Sequence, residues 1–168
     1  MNRFPGIKYG LIGGVCLVIL SIIGMVEAFN QREIVSEVIS MGQALLLAAA
    51  AFIAYLPAAR AGGGTRGLAA SVSSGLIMMA VLALLVLLST VVNLRQVFIN
   101  ASPTLFQILK FQQEDLWVGV GLLLLSGGLT GLAAGLLVMT PDLLRRVVIA
   151  ALTTVVMVGT LQDTISPI

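Results

Sequence analysis

Polar and apolar positions divide this chain into five windows without a charged residue, set apart by short charged clusters. They run over Tyr9–Val26, Val38–Ala59, Gly67–Leu94, Leu116–Pro141 and Val147–Gln162, with lengths of 18, 22, 28, 26 and 16 residues. A helix needs about 20 mainly apolar residues to cross a hydrocarbon core of roughly 30 Å. Four windows meet that length, while the fifth rises only about 24 Å at 1.5 Å per residue. Leu143 and Leu144 extend it if Arg145 and Arg146 snorkel back toward the headgroups. The pattern predicts an all-α fold, a polytopic transmembrane helical bundle forming a single domain over 1–168. Its spans are expected near 9–28, 38–58, 68–92, 116–139 and 144–162. Five spans are expected, and the alternative is four spans with the last segment on the surface.

At the front, Arg3 and Lys8 precede the apolar run 11–26 as in a secretory signal, and Val26-Glu27-Ala28 has cleavage-type spacing. That run exceeds a signal core of about 7–15 residues, and further windows follow it. It reads as a retained anchor helix. At the other end, Gln162-Asp163-Thr164-Ile165-Ser166-Pro167-Ile168 reads like the beginning of an outer loop. Such an ending is expected if these residues are the front of a longer chain.

Charge orients the bundle. With the N-terminus cytoplasmic, Arg3, Lys8, Arg60, Arg66, Arg145 and Arg146 fall inside, and Arg32, Arg95 and Lys110 fall outside. Basic residues in short loops favour the cytoplasmic side, so the N-terminus is expected to be cytoplasmic. Glu27, Glu33, Glu37, Glu114, Asp115 and Asp163 fall outside and only Asp142 inside.

The loops differ in kind. Inside, 56–66 is a flexible hairpin loop centred on Gly62-Gly63-Gly64. It has neither a GxxxxGK[ST] pattern nor a preceding strand, so it is not read as a nucleotide loop. The second outer loop, 93–115, is longer than a simple turn. Ser102-Pro103 offers an N-cap followed by proline at the first helical position. Leu105, Ile108 and Leu109 then share one face by i, i+3, i+4 spacing, which predicts a short helix lying in the outer interface. Trp117 follows where an indole anchors at the headgroups.

Composition agrees with a bilayer environment. Hydrophobic residues make up 59% and charged residues 10%, where a soluble domain carries about a quarter charged. The net charge of +2 is small and scattered, unlike the clustered basic face of a nucleic-acid binder. There is no histidine and one cysteine, so neither a structural zinc cluster nor an internal disulfide is available, and no cofactor or metal is expected. Cys16 reads as a small packing residue.

Small residues recur every four positions in three places: Gly6, Gly10 and Gly14; Gly67, Ser71 and Gly75; and Gly127, Gly131 and Gly135. This spacing lines one helix stripe with side chains small enough for a neighbouring backbone to approach closely. The stripes are read as seams within the bundle or with a partner. The windows otherwise hold only mild polar groups, among them Gln43, Ser89, Thr90, Ser126, Thr130, Thr153 and Thr154. Coupled transporters place ionisable residues in the membrane, so a self-powered pump is disfavoured. Serine and threonine satisfy themselves on their own helix carbonyls. Gln43 stands out, because a buried amide needs partners across helices or in a solute. Catalysis is also disfavoured: without histidine, serine nucleophiles lack their commonest base. Glu27, Glu33 and Glu37 with Arg32 read as a solvated, ion-paired turn.

Three strings carry a family resemblance: Lys8-Tyr9-Gly10-Leu11-Ile12-Gly13-Gly14, Gly24-Met25-Val26-Glu27-Ala28-Phe29 and Met41-Gly42-Gln43. The chain resembles the N-terminal membrane region of bacterial branched-chain amino-acid ABC-transporter permeases. The resemblance implies permease, ATPase and solute-binding subunits as partners, and a peripheral bundle preceding the transport core. The chain departs from a whole permease in being short and in lacking an inner coupling helix for an ATPase. The expectation is a non-catalytic membrane component of a transport system. The alternative is a small standalone scaffold or assembly protein that forms a homo-oligomer through its glycine faces.

Overall fold

Local chemistry sets where the helices begin. In the computed structural model, which describes residues 5–30, 33–35, 39–96, 98 and 101–162, the first helix α1 spans Pro5–Ile22. Its opening proline lacks only an N–H that the first turn would leave unpaired. A turn at Ile23 and Gly24, the latter with φ of 87°, separates it from the short helix α2, Met25–Asn30. Helix α3, Met41–Arg60, starts on a reciprocal cap: the Ser40 hydroxyl accepts from the Gln43 N–H, and the Gln43 side chain accepts from the Ser40 N–H. Before it, two short strands, β1 (Glu33–Val35) and β2 (Ile39–Ser40), pair antiparallel with Glu33 opposite Ser40.

Between α3 and the next helix, Gly62, Gly63 and Gly64 all adopt positive φ, at 77°, 72° and 65°. Side chains rarely adopt this conformation, and it lets the chain reverse within three residues. Helix α4 then runs over Gly64–Val91. A single 3₁₀ turn (Leu94–Gln96) leads toward the short helix α5, Pro103–Leu109. The Ser102 hydroxyl caps α5 by accepting from the Leu105 N–H. Helix α6, Leu116–Met139, is capped by Asp115, whose carboxylate accepts from the Trp117 and Val118 N–H groups. Helix α7 spans Asp142–Gln162.

The antiparallel pair α3 and α4 forms the middle of the bundle. Helix α1 packs along α4 and α3 on one side, and α6 packs along α4 and α3 on the other. The core between them holds Leu17, Leu46, Met78, Met79, Leu82 and Leu123, all buried. Away from it the helices present apolar side chains outward: Leu11, Val15 and Ile19 of α1 are each about half exposed. Exposed apolar surface of this extent marks a membrane or partner face. Helices α3, α4 and α6 are long and apolar enough to cross a membrane; the apolar helix Gly6–Ile22 is shorter.

Several expected boundaries move. The run expected as one span over 9–28 is broken at Gly24, so α1 ends at Ile22 and Val26 turns onto α3 instead of extending α1. The span expected from 38 begins at Met41, because the Ser40–Gln43 cap sets its start. The spans expected over 68–92 and 144–162 begin earlier, at Gly64 and Asp142. A helix does not end where the charges begin, and Lys8, Arg60 and Arg66 all lie inside helices. The span 116–139 coincides with α6. Arg3, Arg32, Glu37 and Asp163 lie outside the described residues.

Candidate functional site

The small-residue stripes lie where helices meet. On α1, a β-carbon added at Gly10 would sit 3.0 Å from the Ser74 carbonyl oxygen, and one at Gly6 would sit 2.6 Å from that of Ala70. Gly14 faces the Val81 side chain. All three therefore receive α4. On α6, added carbons at Gly127 and Gly131 would each come within 2.6 Å of an α4 carbonyl oxygen, those of Gly75 and Ser71 respectively. Gly135 meets Leu68 and Ser71. The α4 stripe divides its partners: Gly67 faces the Ala58 backbone of α3, and Gly75 faces the backbone of Gly127 and Gly131. Gly13 against Met78 and Ile53, and Gly42 against the Val26 carbonyl, are further close approaches outside the expected stripes.

Ser71 ties three helices at this seam. Its hydroxyl, fully buried, lies 2.8 Å from the Ala54 carbonyl of α3 and 2.7 Å from the Gly131 carbonyl of α6. One hydroxyl carries one proton, so it donates to these two acceptors in turn or shares between them. Only the absence of a Cβ at Gly131 lets that carbonyl come so near. The other mild polar groups stay local. Ser89, Thr90, Ser126, Thr130 and Thr154 each donate to a carbonyl three or four residues back. Ser74, also fully buried, has a hydroxyl without a partner.

At the far end of the bundle, Gln43 is buried in the first turn of α3, not midway along it. Beyond its capping role, its Nε2 donates to the Ile108 carbonyl of α5 at 3.1 Å. Its side chain thus bonds once within its own cap, to Ser40, and once across to α5, at Ile108. Leu105, Ile108 and Leu109 share one face of α5 as their spacing predicts, and that face is buried. Ser102 also donates to the Glu27 carboxylate of α2 at 2.8 Å. Together α2, α5 and the start of α3 close this end of the core. A void of about 10 Å³ remains beneath α5, lined mostly by leucine, isoleucine, methionine and phenylalanine, which is room for about one water at most. Of that acidic group the structure describes the Glu27 carboxylate, on Ser102; the side chain of Glu33 and the whole of Glu37 lie outside the described residues.

At the opposite end, the Arg60 guanidinium stacks over the Tyr9 ring, 5.0 Å from its centroid. That contact joins the end of α3 to the start of α1. Lys8, Arg60, Arg66, Arg145 and Arg146 thus collect at one end of the bundle with Asp142, while Glu27, Lys110, Glu114 and Asp115 collect at the other. Among the described residues, no group of three or more histidine, cysteine, aspartate or glutamate side chains converges as a metal site.

Sequence reasoning missed three of these features. The Ser40–Gln43 pair has the S-x-x-Q spacing of a capping box and was legible. Ser71 as a three-helix tie and Ser102 on Glu27 join positions 60 and 75 residues apart, which no local pattern encodes. Comparison with models of known protein families, with characterised proteins and with solved structures finds no match.

Proposed function

We propose that this chain is an integral membrane, non-catalytic packing component of a transport system, set against a larger permease. The single observation that carries the non-catalytic part is the sealing of the bundle by backbone-to-backbone seams. Gly127 and Gly131 bring α6 onto α4, Gly6 and Gly10 bring α1 onto α4, and Ser71 bonds across both α3 and α6. An interior closed this way, with its amide and most of its hydroxyls bonded to the chain's own carbonyls, favours a scaffold over a path for solute. The membrane reading extends the three long apolar helices to five spans, with α1 and α7 as the shorter or more polar members. The basic end faces the cytoplasm, as short basic loops favour, and α5 lies at the outer interface.

The transport role rests on the resemblance to the front portion of branched-chain amino-acid permeases, carried by the strings between Lys8 and Gln43. The rival scaffold that oligomerises through glycine faces loses support, because its stripes are already covered by helices of the same chain. Copurification of the full chain from its native membrane tests the proposal. Recovery with an ATPase and a solute-binding protein supports it, and a self-contained oligomer of this chain alone overturns it.

A further inference from the structure

Facing outward between α3, α6 and α7 lies a second space, distinct from the sealed core. It is a groove of about 450 Å³, within the usual range of roughly 300–1,000 Å³ for small-molecule sites. Ala51, Ala133 and Ala134 keep its walls low, and Phe52, Leu137 and Val148 flank it. Among the described residues that line it, Tyr55 alone carries a polar side-chain group. At its basic end stands Arg145, three and four residues before the lining residues Val148 and Ile149, and so on the same face of α7. The Arg145 side chain is 27% exposed and bonds to Asp142. Its neighbour Arg146 is exposed and makes no ion pair among the described residues.

We infer that this groove holds one anionic phospholipid of the inner leaflet. An acyl chain lies against the alanines and Leu137, the Tyr55 hydroxyl bonds to an ester oxygen, and the phosphate sits at Arg145 and Arg146. The chemistry of each part selects this occupant. An apolar groove open to the bilayer favours an acyl chain over water or a polar solute, and Asp142 neutralises only one of the two guanidinium charges at its end. Basic pockets between helices on the cytoplasmic side recognise anionic headgroups in this way. A partner helix would fill the apolar part but leave the Arg146 charge, unpaired among the described residues, without an anion. The inference rests on the membrane placement proposed above and not on the transport role. Loss of that placement would show as protein missing from the membrane fraction, whatever its lipid selectivity.

The test is a titration of the full chain in neutral detergent with phosphatidylglycerol or phosphatidylcholine, followed by native mass spectrometry. Selective binding of one phosphatidylglycerol is expected. The double variant Arg145→Gln, Arg146→Gln should bind it roughly 25-fold more weakly, from the usual worth of two basic residues near a headgroup. Ala133→Phe fills the groove, leaves both arginines in place, and should abolish the selective binding. Melting without lipid checks its fold, and Ala51→Phe replaces it if that melting falls. Equal binding of phosphatidylcholine overturns the inference, as does full binding by either variant. Crosslinking of Ala133→Cys to a second polypeptide in the membrane also overturns it, since the groove would then hold a helix.

Discussion

Replacing Gly131 by alanine adds one carbon between α4 and α6, at the point where Ser71 reaches across. That carbon would lie 2.6 Å from the Ser71 carbonyl oxygen and 2.8 Å from the Val72 Cα. Both are backbone atoms and cannot rotate aside. Ordinary contact begins at 3.4 Å, so α6 must retreat by roughly 0.8 Å, and overpacking of this kind costs about 1–3 kcal/mol. The same retreat stretches the bond from Ser71 to the Gly131 carbonyl, worth about 0.6 kcal/mol on average between membrane helices. Alanine also favours helix by about 1 kcal/mol over glycine, and that gain must be removed before the seam can be read. Gly121→Ala supplies the correction, since Gly121 lies in the same helix and an added carbon there meets nothing within 4 Å. Equilibrium unfolding in mixed micelles, followed by circular dichroism, should therefore place Gly131→Ala about 1.6–3.6 kcal/mol below Gly121→Ala. Equal stabilities for the two variants would refute the seam as the source of cohesion.

Two further pairs of residues extend the test. Ser71→Ala removes the tie to α3 and α6 and should cost about 0.6–1.7 kcal/mol in the same titration, whereas Ser74→Ala removes a hydroxyl that has no partner and should leave stability equal or higher. Gln43→Leu deletes half of the α3 capping box and the bond to Ile108; it should lower stability by about 1–2 kcal/mol and speed amide exchange across 103–109. Leu105→Ala opens a cavity under the same helix, where the leucine is fully buried; thermal melting should register a loss of about 2–5 kcal/mol.

Much of the fold was legible because helix-forming apolar runs and four-residue small-residue spacing are both local signals. The run 116–139 is free of charge and is bounded by Asp115 and Thr140, and α6 matches it. The glycine stripes could be read as contact faces but not assigned to neighbours, since Gly75 meeting Gly127 depends on how α4 and α6 cross. Gly24 was harder, because one glycine in an apolar run is compatible with a continuing helix and only the docking of Val26 onto α3 makes it a turn. Gln43 was visible as a buried amide, yet its depth was misjudged. Its position depends on Ser40 starting the helix, a short-range cue that window counting passes over. The groove beside α7 left no trace in the sequence beyond scattered alanines, since its walls come from three separate helices.

The central claim is an oriented membrane bundle with its basic end in the cytoplasm, and cysteine accessibility tests it most directly. In a Cys16→Ser background, Ala61→Cys marks the exposed turn between α3 and α4, and Gln113→Cys marks the exposed turn after α5. A membrane-impermeant maleimide should label Gln113→Cys in intact cells and Ala61→Cys only after permeabilisation. The reverse labelling would contradict the orientation. Protein found in the soluble fraction, with both positions labelled alike, would contradict the membrane bundle itself.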